Sequence, residues 1–216
     1  MEFDLNVISL IHQQIDDAIN SEKQSGNLVK MLCGFSKDKG EEKNPEELEE
    51  IPTFIEDYVK HSPILMTLIH KEAEKSGVIE DVIPILDVAS KYFLIETDVI
   101  PDHLGLVGLL DDAYFTNRLI QEVSDRYKEK SGKGLIQINM SSANSFVRRL
   151  IAEPRASFLD EMVDEAINGT KIMNCLQVLA LNSPDFGNLP APSWNEKNIK
   201  DLVDLSMVKL GISSKG

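Results

Sequence analysis

The chain has 216 residues, with 22 Lys and Arg against 36 Asp and Glu, giving a formal net charge of −14 and a pI near 4.7. That excess of negative charge opposes binding to phosphate backbones, so nucleic acid is not expected as a partner. A composition 42% hydrophobic and 27% charged is ordinary for a globular protein, and the apolar runs are far shorter than the roughly 20 residues a membrane-spanning helix needs.

The opening residues, MEFDLNV, are acidic and lack the cationic start of a secretion signal. A cytoplasmic location is therefore expected. Cys33 and Cys175 have no C-x-x-C spacing and read as two reduced thiols. Leu5, Ile8, Ile11, Ile15, Ala18 and Ile19 trace one helical face. His12 and Asp16 lie four apart beside it, but metal sites need three or four ligands, so the pair reads as a solvated flank. Ser25-Gly26 breaks the pattern, and Leu28, Val29, Met31 and Leu32 predict a short second helix.

Residues 35–50, FSKDKGEEKNPEELEE, hold three basic and seven acidic side chains. The part up to Lys43 reads as a linker. Asn44-Pro45-Glu46-Glu47 then has the form of a helix start, and Pro52 predicts a kink or a restart. Ile55, Tyr58 and Val59 continue the apolar face. Ser62-Pro63 predicts the opening of another helix, with Leu65, Met66, Leu68 and Ile69 inside and an end near Gly77. His70 and Glu74 on it read as surface residues.

From Val78 to Ile95 the apolar spacing is again helical, and Pro84 falls near the first turn, where a missing N–H costs little. Ile100, before Pro101, is pushed toward an extended conformation that ends the helix. Leu110, Ala113, Tyr114, Leu119, Ile120, Val123 and Tyr127 mark the next stripe, stopped by Ser131-Gly132. This predicts a central helical hairpin. Its corner is acidic: Tyr92 to Phe115 holds Glu96, Asp98, Asp102, Asp111 and Asp112, and no Lys or Arg lies between Lys91 and Arg118.

Two readings of these acids stand side by side. In the first, Asp98 accepts backbone N–H groups in a turn, Asp102 caps a helix, and Asp111 and Asp112 are first-turn acids that suit the positive helix end. In the second, Asp98, Asp102, His103 and one of Asp111 or Asp112 converge on Mg²⁺, Mn²⁺ or Ca²⁺ through hard oxygen ligands. Capping alone accounts for most of the positions, and the first reading is preferred, with no cofactor.

The pattern Tyr-Phe-Leu, then Asp98-Val-Ile-Pro-Asp102, then Gly108-Leu-Leu-Asp111-Asp112 resembles the signature of the YkvA-like family, small helical domains of unknown function. The resemblance covers about 40 residues. Glu96-Thr97 stands where a Ser-Pro turn entry is common in that family, and His103 is a further departure. What the resemblance implies is a helical domain type, with no reaction attached.

Beyond the hairpin, Ser131-Gly-Lys-Gly134 reads as a connector lacking the full phosphate-loop pattern. Residues 135–140 predict a buried connector, and Ser141 or Ser142 a cap. The following helix turns Phe146, Val147, Leu150 and Ile151 inward and ends at Pro154. Arg148 and Arg149, with Arg155, form the one arginine cluster, expected to pair with the acidic corner, an anion site being the alternative. Leu159, Met162, Val163, Ala166 and Ile167 form the next stripe, up to Asn168-Gly169. Thr170 is a candidate cap for the stripe Ile172, Met173, Leu176, Leu179 and Ala180. A Pro-rich loop over 183–193 precedes a last helix with a Ser193/Glu196 capping box and Trp194 as an anchor.

The expected fold is therefore all-α: one compact multi-helix bundle of about 8–10 helices around the acidic-cornered hairpin. Its divisions are an N-terminal helical segment over 1–34, the YkvA-like part over 45–130, and a helical extension over 141–212 packed on the same core. No G-x-S-x-G, H-E-x-x-H or nucleotide loop occurs. A protein-interaction or regulatory module is the leading expectation, with a protein partner or self-association. A divalent-metal-dependent hydrolase or metal-binding domain at Asp98, Asp102, His103, Asp111 and Asp112 is the alternative.

Overall fold

A computed structural model describes residues 3–38, 48, 50–75, 77–95, 99–100, 102–132 and 139–169, with the side chains of 35–38, 102–103 and 131 outside the description. Among these residues the order is α1 (Asn6–Ser25), α2 (Asn27–Asp38), α3 (Glu50–Lys75), α4 (Ile79–Phe93), a 3-10 segment (Asp102–Val107), α5 (Leu109–Ser131), α6 (Ser141–Ile151) and α7 (Arg155–Asn168). The fold is an all-α bundle, with no strand among the described residues. The expected helix start at 44–47, the connector at 133–138 and every expectation beyond Gly169, Cys175 and Trp194 included, lie outside them.

Helix α5 is the axis. It packs on α3, α4, α6 and α7, while α1 lies across the 3-10 segment, α3 and α4. The expected stripe on α5 is all inward: Leu110, Ala113, Tyr114, Leu119, Ile120, Val123 and Tyr127 are buried. On α1, Ile8, Ile11, Ile15, Ala18 and Ile19 are buried, and each fully buried Ile stabilises the bundle by roughly 1.5–3 kcal/mol. His12 and Asp16 are exposed, as the spacing implied. Gly26, with φ 61°, closes α1 through its N–H to the Glu22 carbonyl, 2.8 Å; the left-handed conformation there favours glycine.

Four local expectations are overturned by packing. Pro63 does not open a helix: α3 runs unbroken through it from Glu50 to Lys75, while Pro52, in the first turn, fits the expected restart. Pro52 is its third residue, where the N–H has no intrahelical partner in any case. Pro63 is interior and removes a bond that would have gone to the Val59 carbonyl. The helix continues with Tyr58, Val59, Ser62, Leu65 and Met66 buried on both sides of the proline, and Asn117 of α5 donates to the neighbouring Tyr58 carbonyl at 3.3 Å. Pro84 likewise sits inside α4, as its sixth residue, with its ring exposed.

His70 is not a surface residue. It is 7% exposed and packs its ring 5.6 Å from Phe3, while Glu74 stays in solvent beside it. Helix α6 is not capped by a serine: Ser141 is its first helical residue, and the Asn139 Oδ1 accepts the Ser141 N–H at 2.9 Å. Finally, among the described residues Arg148 pairs away from the acidic corner. Its Nε donates to Asp160 Oδ2 and its Nη1 meets Glu153 Oε1, both at 2.8 Å. These carboxylates come from the α6–α7 turn and from α7.

Candidate functional site: the acidic corner

Helix α4 ends at Phe93, with the Leu94 N–H bonded back to the Ser90 carbonyl and the Ile95 N–H to that of Tyr92. Val99 and Ile100 precede the 3-10 segment Asp102–Val107. That segment is broken at Gly105, with φ 70° and ψ −132°, a conformation open in practice to glycine alone. A Cβ there would stand at ordinary contact distance, 3.5 Å, from the Ala18 carbonyl and from Ser21 Oγ, so the backbone conformation, not crowding by α1, is what calls for glycine. The Gly108 N–H returns to the Gly105 carbonyl at 2.9 Å, and α5 begins at the next residue.

Asp111 and Asp112 are the third and fourth residues of α5, where the exposed N–H groups of a helix start favour negative charge. Both are 0% exposed. The bundle takes in both. Asp111 Oδ2 accepts the Ile100 N–H at 3.0 Å and the Tyr92 hydroxyl at 3.2 Å. One carboxylate oxygen thereby joins the last turn of α4, the turn after it and the first turn of α5. The Tyr92 ring also stacks on Phe115 with centroids 4.6 Å apart, so its hydroxyl is aimed by packing.

Of the other sequence candidates, Asp98 lies outside the described residues. Asp102 and His103 have their backbone in the 3-10 segment and their side chains outside the description. Among the described residues no group of three or more His, Cys, Asp or Glu is arranged to hold a metal ion.

Two polar clusters of the bundle were not anticipated. In one, the Tyr58 hydroxyl donates to Asn144 Oδ1 at 2.6 Å, Asn144 donates to Gln121, Gln121 donates to Ser141 Oγ at 2.8 Å, and Ser62 donates to Asn117 at 3.1 Å. Burial pushes the Tyr58 phenol well above its ordinary range, which keeps it a donor. In the other, the Tyr114 hydroxyl donates to Asp160 Oδ1 at 2.7 Å, and Arg118 and Arg148 approach the same carboxylate. Burial, then the Asp160 carboxylate, raises the Tyr114 pKa. A signal for the first cluster was present: Asn117 falls in register with Ala113 and Ile120, and Asn144 with Val147 and Ile151, so both polar residues sit on apolar faces.

A family described as "Protein of unknown function (DUF1232)" matches residues 89–115, which run from the last turns of α4 through the corner into the start of α5. Comparison with curated proteins and with solved structures found no match.

Proposed function

We propose that the protein is a helical protein-interaction module of the YkvA-like type, acting in the cytoplasm through the surface at the end of α4. The observation that carries this reading is the pair Leu94 and Ile95, 36% and 47% exposed, at the edge of the acidic corner. Adjacent large apolar side chains held in water cost free energy that a partner surface recovers by covering them. What supports a structural role for the corner itself is the use of Asp111 in closing the chain onto Tyr92 and Ile100. In this reading residues 45–130 form the unit to which the resemblance applies, and the chain after 141 extends the same core. The test is recovery of a partner, or of a dimer, from native lysate with the full chain, repeated with Leu94→Ser/Ile95→Ser. A wild-type protein that stays alone, or capture that the double variant leaves intact, rejects the reading.

A second reading has its own support: two neighbouring carboxylates, Asp111 and Asp112, are both withdrawn from solvent in the first turn of α5, a helix that packs on the 3-10 segment. It makes the corner a divalent-cation site, with hydrolase chemistry as its furthest extension. It predicts that Mg²⁺, Mn²⁺ or Ca²⁺ raises the melting temperature and that Asp98→Asn with Asp111→Asn abolishes the rise. An unchanged melting temperature with all three ions ends it.

A further inference from the structure

The elbow between α1 and α2 holds two buried polar atoms without a hydrogen bond. Glu22 turns Oε1 to the Leu28 N–H at 2.9 Å, while Oε2 is sealed from solvent without a hydrogen bond. Ser25 Oγ, one turn on, is sealed and unbonded as well. A buried polar atom without a partner is a standing cost that hydration removes.

What opposes hydration here is modest. Among the described residues the main packing partner of α2 is the 3-10 segment of the corner. Leu28 and Leu32 are its fully buried anchors, with Met31 and Cys33 half-covered. Its direct polar link to that segment, from Asn27 Nδ2 to the Leu104 carbonyl, is stretched to 3.5 Å, and the short bond from Lys30 Nζ to the Ser25 carbonyl, 2.8 Å, lies next to the pivot. Helix α1 is held very differently, by five buried apolar residues. Between the two helices stands Gly26, in a left-handed conformation with nothing within 4 Å of where a side chain would project.

From this contrast we propose that α2 is a hinged flap over the corner: it swings about Gly26 while α1 stays seated, hydrating Glu22 and Ser25 and uncovering Leu104. This goes beyond the interaction reading, because it concerns access to the corner whichever partner or ion the corner meets. It assigns α2 to the class of segments that open far more often than the molecule unfolds.

The experiment is amide hydrogen exchange on the full chain, alongside alkylation of Cys33 in a Cys175→Ser background. Amides of Met31 to Cys33 are expected to exchange at least a hundredfold faster than those of α3 and α5, with Cys33 alkylated on the same timescale. Ser25→Ala, which removes one sealed hydroxyl, is expected to slow both about tenfold while leaving α3 and α5 unchanged. Protection of α2 equal to that of α5 overturns the proposal. So does a Ser25→Ala protein with wild-type α2 exchange, or one slowed uniformly along the chain. If that variant does not fold, the wild-type comparison of α2 with α5 still decides.

Discussion

Replacing Asp111 by alanine tests whether the corner is closed by this side chain. The carboxylate is wholly buried and accepts from the Ile100 N–H and the Tyr92 hydroxyl; both donors belong to buried residues. Stranding a buried donor costs about 1–3 kcal/mol, so two cost roughly 2–6 kcal/mol. Removing a desolvated carboxylate returns part of this, because burying a charge is itself unfavourable. The expected net loss is about 3 kcal/mol. At about 2–4 °C per kcal/mol for a chain of this size, the melting temperature falls by roughly 6–12 °C. Asp111→Asn, which retains an acceptor oxygen, should lose about half as much. Tyr92→Phe keeps the stack on Phe115 and removes one donor, so a double-mutant cycle with Asp111→Ala should show coupling near 1 kcal/mol. The assay is urea and thermal unfolding followed by far-ultraviolet circular dichroism. An Asp111→Ala protein within about 0.5 kcal/mol of wild type, or a cycle with no coupling, refutes the reasoning.

Other outcomes follow from particular conformations and charges. Gly105→Ala should destabilise by about 1–3 kcal/mol, since φ 70° and ψ −132° suit glycine alone; a smaller loss in urea melts would show the corner relaxing away from α1. Ala152 holds φ 63° and ψ 168°, so Ala152→Gly should stabilise by about 1 kcal/mol, the strain relieved exceeding the added unfolded-state entropy; an unchanged unfolding midpoint would contradict this. Asp160→Ala strands the Tyr114 hydroxyl and removes the stronger of Arg148's two links to α7, leaving the one to Ser157, and a loss of about 2–3 kcal/mol is expected by chemical denaturation. In acid, Glu153 and Glu22 act oppositely. Ser157 and then Arg148 hold Glu153 below its ordinary pKa, so its contribution is full above the unfolded value of 4.5 and disappears as pH falls through the lower folded one. Burial raises Glu22, so its contribution is present below 4.5 and is lost as pH rises through the folded value. Urea midpoints between pH 3 and 7 for Glu153→Gln and Glu22→Gln should therefore depart from wild type with opposite slopes.

Sequence alone determined what repeats within a helix. The three- and four-residue spacing of Ile8, Ile11, Ile15 and Ile19, and of Leu110, Ala113, Tyr114 and Ile120, marked the faces that are buried, because a 3.6-residue period sets which side chains share a side whatever the helix meets. Gly26 and Gly132 marked helix ends for an equally local reason, the left-handed conformation each adopts. Tertiary structure decided where partners come from. Pro63 sits in an unbroken helix whose flanking residues Val59, Ser62 and Met66 are buried in a bundle in which α5 packs on α3. His70 is buried because Phe3, 67 positions earlier in the numbering, packs on its ring. Arg148 chose Asp160 and Glu153 over the corner for the same reason. Periodicity is a property of one helix, whereas a hydrogen-bond partner is a property of two, and their relative placement depends on the packing of the whole bundle.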